Sequence, residues 1–594
     1  MWLTCFLLSV CSLLFFVILA VVSANGRIGK HLNAFYTMFG GVFVSAVFLF
    51  FPVNAAVTDM SGISNLQSVL LSIFRAMQIF TIGTEFEVVT NSISYCPDGL
   101  DVCFKILAAF IFVIAPVFTF GFVLSLFKNI SAYSRYLGAF FKDVYVFSEL
   151  NEISLALAED IKKNNPKVAV VYTDVYEKND EVFGELSEKA KTLNAICFKK
   201  DLLAINFKRH SKNKQILFFT IGNDETENLN QSLKIIGLYN MRENTRLFVF
   251  ASKVESELLL TSVNKGFIKV RRVNAIRALI NRNLYESGTL LFDNAGIGTD
   301  GSKKISAVVV GMGGYGREMV KALSWYCQMD GYSVEINAFD KDELASKKFN
   351  ALAPELMSPI YNGVSVEGEA QYLINIHSKI DAETSCFADA ISKIKNATYV
   401  FVALGRDDIN INTAVTLRML FERIGIHPVI QAVVYSSEQK RALAGIKNYR
   451  GQEYDIQFIG DLESSYAENV IIDSELEEDA LSRHLKWGEE DEFWTYEYNY
   501  NSSVASAIHM KARIHCDIPG ADKKEADLTE AERNIIEVLE HKRWNAYMRS
   551  EGYIFSGSKD KSSRNDLAKM HHDLVDFESL SDEDKRKDSK VGTS

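Results

Sequence analysis

Apolar positions crowd into the first quarter of the chain. Three runs there, Trp2 to Val22, Phe35 to Val57 and Phe104 to Phe127, each carry the ~20 apolar residues that a helix needs to cross a bilayer. From Asp143 the pattern changes. Short apolar stretches of strand length alternate with stretches whose apolar residues recur at helical spacing, which predicts a parallel, doubly wound sheet. The alternation runs through once over 141–295 and again over 303–478, so it predicts an internal duplication. An aromatic stretch follows, with a small, mainly α module expected over 490–590. The expected order is a helical membrane part over 1–135, two α/β domains and a terminal helical module.

Basic residues orient the membrane part. Arg27 and Lys30 separate the first two runs, and Lys128, Arg135 and Lys142 follow the third, so both flanks are expected inside the cell. The loop 58–103, with Asp59, Glu85, Glu87, Asp98 and Asp101, is expected outside together with the N-terminus. The rival reading of the first run is a cleaved signal peptide ending near Val22-Ser23-Ala24, although its basic residues, Arg27, Lys30 and His31, follow the run instead of preceding it. Between runs two and three, Asn65 to Phe80 is amphipathic and too short for another span, and Thr81-Ile82-Gly83-Thr84-Glu85 follows. Two readings of 65–85 stay open. One is a re-entrant helix returning through a filter-like turn, with Gly83 supplying an unusual backbone angle and Glu85 a ring of charge in an oligomer. The other is a helix lying at the lipid surface. Pro116 and Gly121 give the third run places to kink.

At 594 residues the chain exceeds what one core supports. Its net charge of -11 and lack of a basic stripe argue against a nucleic-acid partner. Eight cysteines contain no Cys-x-x-Cys pair, so no metal site is expected. Cys96 and Cys103, close together in the outer loop, are candidates for a disulfide.

The candidate chemistry sits in turns. In the second α/β repeat, the strand Ile305 to Val310 runs into Gly311-Met312-Gly313-Gly314-Tyr315-Gly316 and then a helix. Gly311, Gly313 and Gly316 match the spacing that turns the chain, admits a diphosphate to the backbone and packs helix on strand. Asp340 ends the next strand, where an acid meets a ribose. NAD or a related nucleotide is the expected occupant, and a retained fold with an empty cleft is the alternative. In the first repeat the matching turn, Ser148-Glu149-Leu150-Asn151-Glu152, has no glycine, and Glu149 is expected to obstruct a diphosphate. In the terminal module, Thr529-x-x-Glu532 opens a helix that carries His541, Arg543, Trp544 and Tyr547, with Tyr553 beyond it. Aromatic rings beside cations suit an adenine-type nucleotide; buried core aromatics with a solvated charged face are the bland reading.

Three resemblances follow from these residues. The segment 65–85 resembles the pore loop of two-span potassium channels, with Thr84 and Glu85 where the usual Thr-Val-Gly-Tyr-Gly filter has Tyr and Gly. The repeats over about 141–475, through GMGGYG, Asp340 and the Asp-Glu-x-x-Asn turn at 224–228, resemble regulator-of-potassium-conductance (RCK, or Trk-type) domains with their Rossmann-like sheets. The segment 495–590, with His571 to Leu574, is similar to the ryanodine-receptor repeat module. Together the resemblances imply a homotetrameric cation channel of the plasma (bacterial inner) membrane, not an enzyme, in which a cytosolic ring and a small ligand module sense a nucleotide. Arg543, Trp544, Tyr553 and His541 are the expected ligand residues. A membrane-tethered, non-conducting nucleotide-binding subunit or defence effector is the alternative.

Overall fold

The structure, a computed structural model, describes residues 1–22, 32–57, 62–81, 83, 93, 96–175, 181–298, 301–357, 372–472 and 474–591. It divides into two units, Met1–Arg135 and Tyr136–Ser594.

The first unit is helical, with α1 (Trp2–Val22), α2 (Leu32–Val57), α3 (Gly62–Phe80) and the start of α4 (Asp101–Gly138). Helices α1, α2 and α4 are each long and apolar enough to cross a membrane. α1 and α2 meet through small residues. A Cβ on Gly41 would stand 2.5 Å from the Cβ of Phe16, and Ser9 Oγ donates to the Ser45 carbonyl at 2.9 Å. α3 turns its small polar residues inward: Asn54 Nδ2 of α2 donates to Ser72 Oγ at 2.9 Å, and Ser72 donates to the Ser68 carbonyl at 2.6 Å. Its exposed row is apolar, with Leu66, Leu70, Phe74 and Met77 on one stripe, a surface suited to lipid or an apolar neighbour.

Thr81 ends α3 by donating from Oγ1 to the Gln78 carbonyl at 3.0 Å, and the Gly83 N–H bonds the same carbonyl at 2.9 Å. The unusual backbone angle expected of Gly83 is not adopted. Its φ lies outside the left-handed region, and a Cβ there would make an ordinary 3.5 Å contact with Thr81 Oγ1. Ile82, Thr84 and Glu85 lie outside the described residues. Cys96 and Cys103 are both free thiols.

The second unit contains two parallel sheets of one strand order. In the first, β1 (Val144–Phe147), β2 (Ala169–Tyr172), β3 (Ile196–Cys197), β4 (Ile216–Thr220), β5 (Thr245–Phe250) and β6 (Lys269–Val273) lie as β3-β2-β1-β4-β5-β6. In the second, β8 (Lys303–Val310), β9 (Tyr332–Phe339), β10 (Tyr372–His377), β11 (Tyr399–Val402), β12 (Val429–Val433) and β13 (Ile456–Ile459) repeat that order, and a short antiparallel β7 (Gly296–Ile297) is added beside β8. This is the Rossmann-like arrangement, whose order reverses beside the first strand and leaves a crevice at the strand ends. The central strands are buried on both faces, as parallel sheets require.

Two borders are less modular than the sequence pattern suggests. After β13 the chain returns to the first sheet, where Tyr466, Val470, Ile471 and Ile472 complete its core. Arg271 Nη1 donates to the Ile471 carbonyl at 2.8 Å, and Arg246 Nη2 to that of Ile472 at 3.0 Å. The C-terminal helices Glu497–His515 and Glu530–Ser550 share one core with the second sheet's first helix, Gly314–Tyr326. Trp325 meets Tyr547 edge-on at 6.2 Å, and His509 Nε2 donates to the Gln328 carbonyl at 2.7 Å.

Candidate functional site

The glycine turn after β8 behaves as its spacing demands. Gly311 has φ +95°, and a Cβ there would stand 2.3 Å from the Ala403 carbonyl oxygen. At Gly316 a Cβ would stand 1.7 Å from the Gly311 carbonyl oxygen, so only glycine lets the helix approach the turn. Gly313 caps that helix with nothing within 4 Å of its missing side chain, which leaves the backbone open to an approaching group. The turn borders a cleft of about 240 Å³ that also includes Asp340, Lys341, Glu383 and Gly405. Asp340 does not simply project into it. Its Oδ2 accepts from the Met312 N–H at 2.5 Å and its Oδ1 from the Asp342 N–H at 2.7 Å, so the carboxylate also braces the glycine turn. A ribose hydroxyl there would share oxygens already holding backbone.

The corresponding crevice of the first sheet is filled by its own side chains. Glu149 Oε2 lies 2.9 Å from where a Cβ on Gly222 would be, across the ends of β1 and β4. Asn151 Nδ2 donates to the Ile221 carbonyl at 2.8 Å, and Ser148 Oγ accepts from the Ile221 N–H at 3.0 Å. Both sheets share a second device that spacing alone did not identify. Asn228 Oδ1 accepts from the Gly222 N–H at 2.7 Å while its Nδ2 donates to the Phe250 carbonyl at 3.0 Å. Asn410 makes the matching pair with the Leu404 N–H at 2.6 Å and the Val433 carbonyl at 2.7 Å. The signal was an asparagine in the first turn of the fourth-strand helix of each repeat.

A larger cavity, about 670 Å³, opens in the C-terminal region. His541, Arg543 and Trp544 border it, together with Tyr498, with Arg483 from the last turn of the helix Glu475–His484 and with Lys486 from the turn that follows it. Tyr553 does not border it: its ring stands 6.1 Å from that of Tyr498, one layer behind the wall. The capping box at Thr529 starts the helix as expected, with Thr529 Oγ1 accepting from the Glu532 N–H at 3.3 Å. Three turns on, Glu540 is buried between two guanidiniums. It accepts from Arg543 Nη2 at 2.7 Å and from Arg513 Nη2, whose Nε donates to His509 Nδ1 at 2.8 Å. Burial opposes ionisation of Glu540, yet the charges of Arg543 and Arg513 prevail and hold its carboxyl below the usual range. Trp544 is half-buried, edge-on to His571 at 4.9 Å.

The cavity wall is electropositive. Seven of its residues are Lys or Arg and four are Asp or Glu. Burial and the neighbouring Arg483 charge push Lys486 down to about 8, and burial with the Arg513 charge pushes Arg483 down to about 10. Burial, then Arg564 and His572, push His571 down to about 3.

His571, His572 and Asp573 bring three ligand-type atoms within 4.8 Å of one another. The two rings are stacked at 4.7 Å and only 9° apart in orientation. An ion bound by an imidazole lies in the ring plane, and two parallel planes have no common point for one ion, so this trio is not arranged as a shared metal site. His541 is fixed from both ends, with Nε2 donating to the Val575 carbonyl at 2.8 Å and Nδ1 3.3 Å from Asp588.

Neither a protein-family model nor a curated protein matches this chain.

Proposed function

We propose that the protein is a nucleotide-regulated cation conduit of the plasma membrane. It would assemble as a homotetramer, with the second unit in the cytosol. The observation that carries this reading is the union, in one chain, of three spanning-length apolar helices with two sheets of dinucleotide-binding order and an aromatic, electropositive cavity. In this reading the apolar stripe of α3 faces lipid or another subunit, and the segment 81–85 lines the ion path. The glycine cleft takes NAD or a related nucleotide, the cavity takes an adenine-type nucleotide, and ligand-driven movement of the cytosolic part acts on the third span, which leads directly into it in sequence. Of the two clefts the cavity is the better ligand candidate, since ~300–1,000 Å³ is the usual range for small-molecule pockets and only the cavity reaches it. In this reading Asp340, Asp381, Glu383 and Lys341 of the glycine cleft serve ligand binding and not catalysis.

The test is potassium flux into liposomes carrying the full-length protein, with and without ADP and NAD. Ligand-dependent flux that changes selectivity on Glu85→Gln is the expected result. Binding without flux under any condition would leave a membrane-tethered regulatory subunit instead.

A further inference from the structure

We infer that the glycine cleft takes one nucleotide and not a dinucleotide, so that its ligand is a nucleoside mono- or diphosphate. The inference rests on the nucleotide reading proposed above and narrows the ligand class of that cleft.

A sheet of this strand order consists of two mononucleotide-binding halves, and a dinucleotide lies across both with its diphosphate at the glycine turn between them. In the second sheet the halves are β8-β9-β10 and β11-β12-β13. The cleft is lined from the turn after β8, the end of β9, the turn after β10 and the first residues after β11, as far as Ile409. No described residue that follows β12 or β13 borders it. One half of the crevice is therefore open. Its volume of about 240 Å³, below the ~300–1,000 Å³ usual for small-molecule pockets, suits a ligand of half size.

What covers the other half comes from the first repeat. The helix Ala275–Ser287, which leaves the first sheet, is pinned to β12 by Asn283 Nδ2 donating to Gln431 Oε1 at 2.7 Å. A Cβ on Gly460, just past β13, would stand 2.9 Å from Leu279 Cδ2 and 3.1 Å from Val433 Cγ1. The buried Leu279 thus sits on the ends of β12 and β13. Three residues earlier, Ile276 Cδ1 would stand 2.7 Å from a Cβ on Gly314, beside the diphosphate seat. The turn after β12 is drawn in as well, because the Asp407 carboxylate accepts from the Tyr435 N–H at 2.9 Å and the Ser436 N–H at 2.8 Å. A second nucleoside would have to dislodge these packed side chains, at the cost of opening a core. The open half holds phosphate by backbone: its described lining has Lys341 as its one cation against Asp340, Asp381 and Glu383, which favours one or two phosphates at the helix start over a longer chain.

The experiment is hydrogen exchange of the whole chain in lipid nanodiscs, titrated with ADP and with NAD, on wild type and Gly313→Val. Exchange is read turn by turn, so binding in the C-terminal cavity does not enter. Gly313 has open space around its missing side chain, so valine fits the fold while filling the approach to the helix cap. ADP is expected to slow exchange at 311–316 and 380–383 and to leave 276–279 and 433–436 unchanged. Half-protection of 311–316 is expected to need about 10-fold more NAD than ADP, and the ADP protection to vanish in Gly313→Val. NAD that protects 311–316 at the same or a lower concentration than ADP, or that also shields 433–436, would overturn the half-site and leave a dinucleotide in the cleft. Protection at 311–316 that survives Gly313→Val would move the ligand elsewhere and overturn it too. Exchange at 311–316 indifferent to both ligands would overturn nucleotide occupancy of the cleft together with the inference.

Discussion

The first and second sheets repeat one strand order and part at the turn between first strand and first helix. In the second sheet residues 311–312 separate strand from helix cap; in the first, residues 148–150 do, and Asn151 caps with its own side chain. At the third helical position the second copy has Gly316, pressed on the Gly311 carbonyl, and the first has Ser154, whose Oγ accepts from the Asn151 N–H at 2.9 Å. One extra residue and a capping box thus convert an open, backbone-lined turn into one closed by side chains. The remaining frame, including the Asn228 and Asn410 clips, is common to both. A shared fold therefore says little about shared occupancy.

Five substitutions test this contrast, beginning with the largest effect. Gly316→Ser places a Cβ where a carbonyl oxygen already stands, and is expected to cost more than ~3 kcal/mol, read as lost hydrogen-exchange protection across β8 and β9. Asn228→Ala and Asn410→Ala each strand buried backbone groups and should cost ~1–3 kcal/mol to a similar extent in the two sheets; a large inequality in their exchange rates would show that the frames are not equivalent. Ser154→Gly removes half of a capping box, and ~1 kcal/mol is expected from denaturant unfolding of the first sheet, far less than the reverse exchange at 316. Glu149→Ala should change stability by less than ~0.5 kcal/mol and confer no NAD binding on the first sheet, because the Ser148 and Asn151 stitches to Ile221 remain. NAD binding gained by that variant, measured by calorimetry against Gly313→Val as background, would mean that one carboxylate had kept the crevice shut.

Much of this was legible in the chain because it is local. The three apolar runs, the two alternating repeats, the glycine turn and its glycine-free counterpart in the first repeat are properties of consecutive residues, and α1, α2, α4 and both sheets fall where the pattern puts them. What escaped depends on residues far apart. Nothing near Asp340 in sequence announces that its carboxylate holds the Met312 N–H, and nothing near Arg483 announces a cavity completed by Trp544. Tyr553 is aromatic and close to Trp544 in sequence, yet the reversal at Gly552, with φ +85°, puts its ring behind Tyr498. Gly83 has the residue type for an unusual backbone angle, and its backbone does not use the freedom that type provides.

The core shared by the helix Gly314–Tyr326 and the two C-terminal helices also bears on synthesis. Chains emerge from the ribosome N-terminus first and fold domain by domain. Here the first sheet waits for Tyr466 to Ile472, and the outer side of the Gly314–Tyr326 helix, with Trp325 and Tyr326, waits for Ile508 and Tyr547. A chain stalled or cleaved before these segments presents bare aromatic surface. Residues 466–472 and the two C-terminal helices are thus a closing seal, and until they are in place the features by which chaperones and proteases recognise unfinished protein stay uncovered.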